Sequence, residues 1–223
     1  MYKNPYARLK PSSRRPYTEI YLIRHCHPDY RSEKKVGEYG MPLSKTGLKQ
    51  REYLTKRLLA TKFDKVIASS LTRAQESAAL YLGHTRQKLH IDERLDEIDW
   101  KGWYRLKYFN MTEKMREKKL KHHQKLDKEL DKIQTVARRA IADIFRHNHG
   151  KTLAIFSHGN FIRALLTGIL NADVVGFLSL EIFQSSISKI IIDRDGYIKI
   201  SFINDVNHLP SPPTEDLYIT LVD

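Results

Sequence analysis

The sequence predicts an α/β fold: a three-layer sandwich with a mainly parallel sheet, an antiparallel edge, helices on both faces and a small helical cap insertion. Three observations carry this. Short apolar runs of strand length alternate with segments of helical spacing, two late strand-like runs are joined through an Asp-Gly step, and an amphipathic stretch separates the two halves of the chain.

The first run, Ile20-Tyr21-Leu22-Ile23, is bounded by polar residues as a buried strand is, and it ends at Arg24-His25. Ser44 supplies the oxygen that caps a helix running to about Ala60. Lys65-Val66-Ile67-Ala68 reads as a second strand, followed by a helix from about Leu71 to Leu82. Leu126, Leu130, Ile133, Ala137, Ile141 and Ile144 then recur at spacings of three and four, an amphipathic helix read as part of a cap over about residues 100–148. Thr152-Leu153-Ala154-Ile155-Phe156 is the next strand; it ends at Ser157-His158-Gly159, and a helix follows from about Asn160 to Leu170. Finally, the runs Ile187 to Asp193 and Tyr197 to Ile203 flank Arg194-Asp195-Gly196, a hairpin signal that sets the antiparallel edge. Sites in such sheets gather beyond the carboxyl ends of the strands, where Arg24, His25 and His158 all fall.

The chain's 223 residues suit one domain, residues 17–209, carrying that insertion. Residues 1–16 combine Lys3, Arg8, Lys10, Arg14 and Arg15 with three prolines and no acid, the composition of a basic extended arm. Residues 210–223, opening Pro210-Ser211-Pro212-Pro213, form a C-terminal tail. A single cysteine, Cys26, excludes an intramolecular disulfide and a multi-cysteine zinc site. No apolar run approaches the roughly 20 residues of a membrane helix, so a cytoplasmic location is expected. The net charge of +13 suits an anionic partner, although much of it lies between Lys101 and Arg139, where it reads as a solvated helical face.

A phosphate monoester is a dianion. Cleaving it without metal requires fixed cations around the transferring group and a nucleophile that is neutral at working pH. Histidine among arginines meets both needs: the neighbouring Arg24 lowers the pKa of His25 and leaves a nitrogen free to attack phosphorus. Ser69-Ser70-Leu71-Thr72-Arg73-Ala74, Leu95-Asp96-Glu97 and Ser157-His158-Gly159-Asn160 supply further groups at strand ends or helix starts. Singly, Arg73 is an ordinary helix-start residue, Glu97 a turn solubiliser and His158 a strand-end histidine. Their joint placement is what points to one phosphate site.

With these residues the chain resembles the histidine phosphatase superfamily, the clan of cofactor-dependent phosphoglycerate mutases and broad-specificity phosphatases, in its Ser-His-Gly branch. The resemblance runs from about Thr18 to Leu209. It includes Leu22-Ile23-Arg24-His25, Pro42-Leu43-Ser44-Lys45-Thr46-Gly47 with Gln50, Ser69 to Ala78, Phe156-Ser157-His158-Gly159, and the closing Asn204-Asp205 with His208-Leu209. It implies that His25 is the nucleophile, that Arg24 and Arg73 hold phosphate oxygens, and that His158 donates to the same group. It also implies that Glu97 protonates the leaving oxygen and then activates water. Gly159 and Asn160 join Arg24 and Arg73 as candidates for binding substrate.

Two departures from the family pattern stand out. The glycine after the catalytic histidine is Cys26 and the next residue is His27, while Arg31 stands where mutases place an asparagine; Arg31 either adds a third arginine to the phosphate or sits on a loop. The pattern Leu-x-Glu-x-x-x-Gly-x-Trp-x-Gly is shortened to Leu95-Asp96-Glu97-Ile98-Asp99-Trp100-Lys101-Gly102, which leaves Asp96 and Asp99 as rivals to Glu97.

Other chemistries fit less well. Cys26 and Arg31 are one residue short of the Cys-x5-Arg loop of cysteine phosphatases and lack its glycines. His25 and His27 with Asp29 or His158 could outline a metal site, but the arginines would repel the ion. The expectation is therefore a phosphomonoesterase working through phosphohistidine on His25, with no cofactor and no metal. Its partner is a small phosphorylated substrate or a phosphoprotein rather than nucleic acid or membrane, and it is a monomer or a homodimer. Trp100, Trp103, Tyr104 and Tyr108 in the cap pack on the core or stack a substrate ring. The alternatives are phosphoglycerate mutase-type transfer, or a non-catalytic protein that binds phosphoryl groups or nucleic acid.

Overall fold

A computed structural model describes residues 17–99, 112–114 and 123–210. The basic arm, most of the C-terminal tail, and the four aromatic residues singled out in the cap lie outside the described residues. Six strands form one sheet: β1 (Tyr17–Arg24), β2 (Lys65–Ala68), β3 (Leu89–Ile91), β4 (Thr152–Ser157), β5 (Ile187–Asp193) and β6 (Ile198–Asp205), in the order β3-β2-β4-β1-β5-β6. β1, β4, β2 and β3 pair in parallel; β5 and β6 run antiparallel and close one edge. The β5–β6 turn uses the Asp-Gly step, with Gly196 at φ 88° and Asp193 Oδ1 accepting from the Asp195 and Tyr197 amides at 2.9 Å.

Alternation along the strands decides the layers. Ile20 and Leu22 of β1, Ile67 of β2 and Leu153 and Ile155 of β4 enter one buried cluster; Ile23, Val66, Ala68, Ala154 and Phe156 enter another. Because both faces are covered, the central strands read as continuous apolar runs. The helices are α1 (Glu33–Gly40), α2 (Lys45–Leu59), α3 (Thr72–Thr85), α4 (His123–Arg146), α5 (Gly159–Ile169) and α6 (Val174–Ser179). α2 and α3 cover the Ile23 face through Leu54, Leu58, Ala74, Ala78 and Tyr81; α4, α5 and α6 cover the other. Each fully buried Leu, Ile or Phe contributes about 1.5–3 kcal/mol relative to exposure.

One expectation is corrected. The stripe from Leu126 to Ile144 is helical as its spacing predicts, but α4 is a layer of the sandwich and not a cap: Leu130, Ala137, Ile141 and Ile144 are buried against the sheet cluster. Gln134 fastens it to α5, donating from Nε2 to Thr167 Oγ1 at 3.2 Å and to the Ala172 carbonyl at 3.0 Å. Helical periodicity reports that a face is apolar, not what covers it. Among the described residues no helix is long and apolar enough to cross a membrane.

Candidate active site

The parallel strands bring three chain segments to one edge. Beyond β1 the His25 amide donates to the Ser157 carbonyl at 2.9 Å, and beyond β2 the Ser69 amide donates to the Phe156 carbonyl at 3.0 Å, so the ladder continues past the strand ends. The Ser185 amide holds the His25 carbonyl at 3.1 Å. The chain then turns under α2. His27 donates its amide to Gln50 Oε1 at 2.7 Å, and a Cβ on Gly47 would stand 2.1 Å from the His27 carbonyl, so only glycine lets the start of α2 approach this closely.

These elements surround a cavity of about 260 Å³ whose described lining is Arg24, His25, Tyr30, Glu33, Glu38, Met41, Arg73, Glu97, Ile98, Asp99 and Asn160. His25 is 3 % exposed and the His158 side chain is fully covered. His25 Nδ1 lies 2.7 Å from the Cys26 carbonyl. A carbonyl can only accept, so Nδ1 carries the proton and neutral His25 presents the Nε2 lone pair. Arg73 Nε donates to that Nε2 at 3.4 Å. Burial, then His158, Arg73 and Arg24, hold the His25 pKa well below the ordinary histidine value. His25 is therefore neutral across the neutral range.

The His158 ring lies 5.0 Å from the His25 ring, and its Nε2 shares a 2.6 Å hydrogen bond with Ser69 Oγ. Burial and the two arginines push its pKa well down as well. Among the described residues, His158 Nδ1 and Arg24 Nε are buried polar atoms with no partner. Leaving such groups unpaired costs about 1–3 kcal/mol each. Arg24 itself is anchored by donating from Nη1 to the Ile182 carbonyl. Gly159 makes room for it: a Cβ there would stand 3.2 Å from Arg24 Nε and Cζ.

The three carboxylates have different surroundings. Asp96 is fully engaged, accepting from the Ser70 amide on Oδ1 at 2.8 Å and from the Ser70 hydroxyl on Oδ2 at 2.6 Å. Asp99 is an exposed residue on the cavity wall. Glu97 lines the cavity with Oε1 at the start of α5, accepting from the Asn160 amide at 3.1 Å and the Phe161 amide at 3.3 Å, and from its neighbour Ile98 at 3.0 Å. Burial raises its pKa, with Arg24 the largest opposing influence. Ser157 fixes this loop by donating its hydroxyl to the Leu95 carbonyl at 2.7 Å.

Arg31 is corrected. It sits on an exposed 3-10 turn (Tyr30–Ser32) outside the cavity lining, because Asp29 accepts its amide and turns the chain there. Cys26 is fully buried and burial pushes its thiol up to about 11, which leaves it a packed small side chain. The His27 Nδ1 pairs with Ser44 Oγ at 2.8 Å, and its ring meets Tyr30 edge-on at 5.6 Å. Sequence reasoning missed Tyr30, Glu33, Glu38 and Met41, which no periodic pattern marks. Glu38 is the most consequential of these, since its carbonyl and Oε1 accept from Arg73 Nη1 and Nη2 at 2.8 and 3.3 Å.

Comparison with known proteins follows the same lines. Residues 20–206 match the profile of the histidine phosphatase superfamily (branch 1). A protein named probable phosphoglycerate mutase GpmB, from Enterobacter sp. (strain 638), is 24 % identical over 219 residues, covering 89 % of this chain and 98 % of its own. A crystal structure of a phosphoserine phosphatase mutant from Entamoeba histolytica, in complex with phosphoserine, superposes with a TM-score of 0.68 at 18 % identity, covering 86 % of this chain and 100 % of that one. YhfR of Bacillus stearothermophilus gives 0.66 at 23 % identity, covering 86 % and 98 %. At these identities the structural likeness establishes the fold.

Proposed function

Because the chain belongs to the histidine phosphatase superfamily, branch 1, we propose that it is a metal-independent phosphomonoesterase that carries phosphate on His25. The observation that carries this reading is the orientation of His25, whose Nδ1 is tied to a carbonyl while Nε2 faces Arg73 in a cavity shared with Arg24 and Glu97.

In the first step Arg73 Nε turns its N–H from His25 to a phosphoryl oxygen, the freed Nε2 lone pair attacks phosphorus, the bond from phosphorus to the ester oxygen breaks, and Glu97 gives its proton to the departing oxygen. Arg24 and Arg73 neutralise the phosphoryl oxygens, and His158 Nδ1 donates to the same group. In the second step water attacks phosphorus, Glu97 takes the water proton, and the N–P bond breaks to free phosphate. Two guanidiniums supply the charge neutralisation that a metal gives elsewhere, and they repel a cation from the same place. The small cavity suits a compact phosphorylated molecule or a phosphorylated side chain presented by a protein. We place the reaction in the cytoplasm.

The name of the Enterobacter relative favours one second reading, transfer to another hydroxyl of a phosphoglycerate. Hydrolysis is preferred because a bisphosphorylated intermediate needs a second phosphate subsite. Among the described lining residues, the groups beyond Arg24 and Arg73 include Glu33, Glu38 and Asp99 and no further arginine or lysine.

The test is phosphate release from an aryl phosphate with chelator present, comparing the parent with His25→Ala and His158→Ala, alongside conversion of 3-phosphoglycerate. Chelator-resistant release lost in both variants supports the proposal. Phosphoglycerate interconversion without phosphate release transfers the assignment to a mutase, and no turnover of either substrate ends the enzymatic reading.

A further inference from the structure

The segment from Asp29 to Pro42 is closed at its base and unsupported in its body. At the base, Pro28 bridges Leu43, the Asp29 amide donates to the Pro42 carbonyl at 2.8 Å, and the Ser44 amide donates to the His27 carbonyl at 3.0 Å. Met41 and Leu43 are buried there. Between these anchors α1 buries no residue, and Val36 and Tyr39 stand 44 % and 66 % exposed. Helices gain most of their stability from packing an apolar face, and one of eight residues is marginal without it. Gly37 interrupts α1 at φ 71° and ψ 173°, with nothing within 4 Å of where a Cβ would stand.

Glu38 follows that break and ties the segment to the catalytic floor. Its carbonyl and Oε1 take one N–H each from Arg73 Nη1 and Nη2, while Arg73 Nε faces His25. Two of the five N–H donors of the arginine read as holding phosphate are therefore taken by the chain itself. We propose that Glu38 is a latch: phosphate displaces it from Arg73, which releases α1 and opens the Glu33–Gly40 segment as a lid over the cavity. The proposal rests on the reading of Arg24 and Arg73 as the phosphate-holding pair.

The exchange runs in the required direction. The Glu38 carboxylate is 51 % exposed, and its ion pair with Arg73 is correspondingly weak, whereas the Arg73 side chain is only 6 % exposed. A dianionic phosphate between the guanidiniums of Arg24 and Arg73 forms the stronger, charge-assisted hydrogen bonds. The latch thus keeps the empty site covered and yields to substrate. Asp29 and the base contacts stay in place as the segment opens about its ends.

Inorganic phosphate is the probe, titrated by calorimetry into the parent, Glu38→Gln and Glu33→Gln. Glu33 lines the same cavity with the same charge, but the bonds to Arg73 come from Glu38. Binding to Glu38→Gln is expected to be roughly three- to tenfold tighter than to the parent, with Glu33→Gln changing much less. Hydrogen exchange at the α1 amides is expected to speed up in Glu38→Gln and in the phosphate-saturated parent. Equal tightening in both variants would reduce the effect to the general field and overturn the latch, as would unchanged affinity in Glu38→Gln. Unchanged exchange in α1 on phosphate binding overturns the lid. Absence of phosphate binding in all three proteins overturns the phosphate-site reading itself, a failure distinct from that of the latch.

Discussion

Arg73 Nε donates to His25 Nε2 at 3.4 Å while His25 Nδ1 donates to the Cys26 carbonyl at 2.7 Å. Both ring nitrogens are thereby fixed, and in the proposed mechanism the nitrogen that attacks phosphorus faces the cation that stabilises the transferring group. Arg73→Lys keeps the charge but loses the Nε–H and the planar fork. In steady-state kinetics kcat/KM for an aryl phosphate should fall roughly 100-fold, the scale of one lost oxyanion donor. Parental kcat/KM in this variant would mean that Arg73 acts only as a point charge.

The shifted groups dictate the pH profile. In the proposed mechanism His25 must be neutral to attack, and its pKa lies well below 6.5, so the acid limb of kcat/KM is expected far into the acid range. In the same mechanism Glu97 must be protonated to release the leaving group, and its pKa is raised above 4.5, so activity is expected to decline as pH rises through that raised value. After correction for ionisation of the substrate, Glu97→Gln should abolish the alkaline limb. An alkaline limb that survives in this variant assigns it to another group.

Neighbouring carboxylates should separate cleanly. Glu97→Gln is expected to lower kcat about 10²- to 10⁴-fold with little effect on Tm. Asp96→Asn weakens two hydrogen bonds that hold Ser70, and should cost about 1–3 kcal/mol of stability with a much smaller loss of kcat. Thermal melts beside kinetics read both, and the reverse pattern would make Asp96 the acid.

Gly47→Ala places a Cβ 2.1 Å from the His27 carbonyl, and backbone cannot rotate away as a side chain can. Denaturant unfolding should show a loss of about 2–4 kcal/mol, comparable to other severe overpacking. A neutral effect would mean that α2 can shift at its start without disturbing the turn after His25.

The strands and the polar groups gathered beyond their carboxyl ends were legible because each leaves a local mark. Ile20, Leu22 and Ile23 sit under both helical layers and so read as a continuous apolar run, and Arg24, His25, Ser69 and His158 fall directly after such runs. β3 left little mark: it has three residues, and His90 and Ile91 are exposed. α1 carries no buried residue and therefore no periodicity. The partners that set each carboxylate's role are distant in sequence, as Ser70 is from Asp96, and spacing alone could not rank Glu97 above its neighbours. α4 displayed its apolar face plainly, but its place in the sandwich depended on the sheet face available to receive it.

The most direct measurement is rapid acid-free quenching of the enzyme with a ³²P-labelled phosphomonoester, followed by denaturing electrophoresis and peptide mapping. The account predicts a label that is stable to base, lost in acid, located on the peptide containing His25 and missing from His25→Ala. A turning-over enzyme that carries no label, or carries an acid-stable label elsewhere, would contradict covalent catalysis by His25.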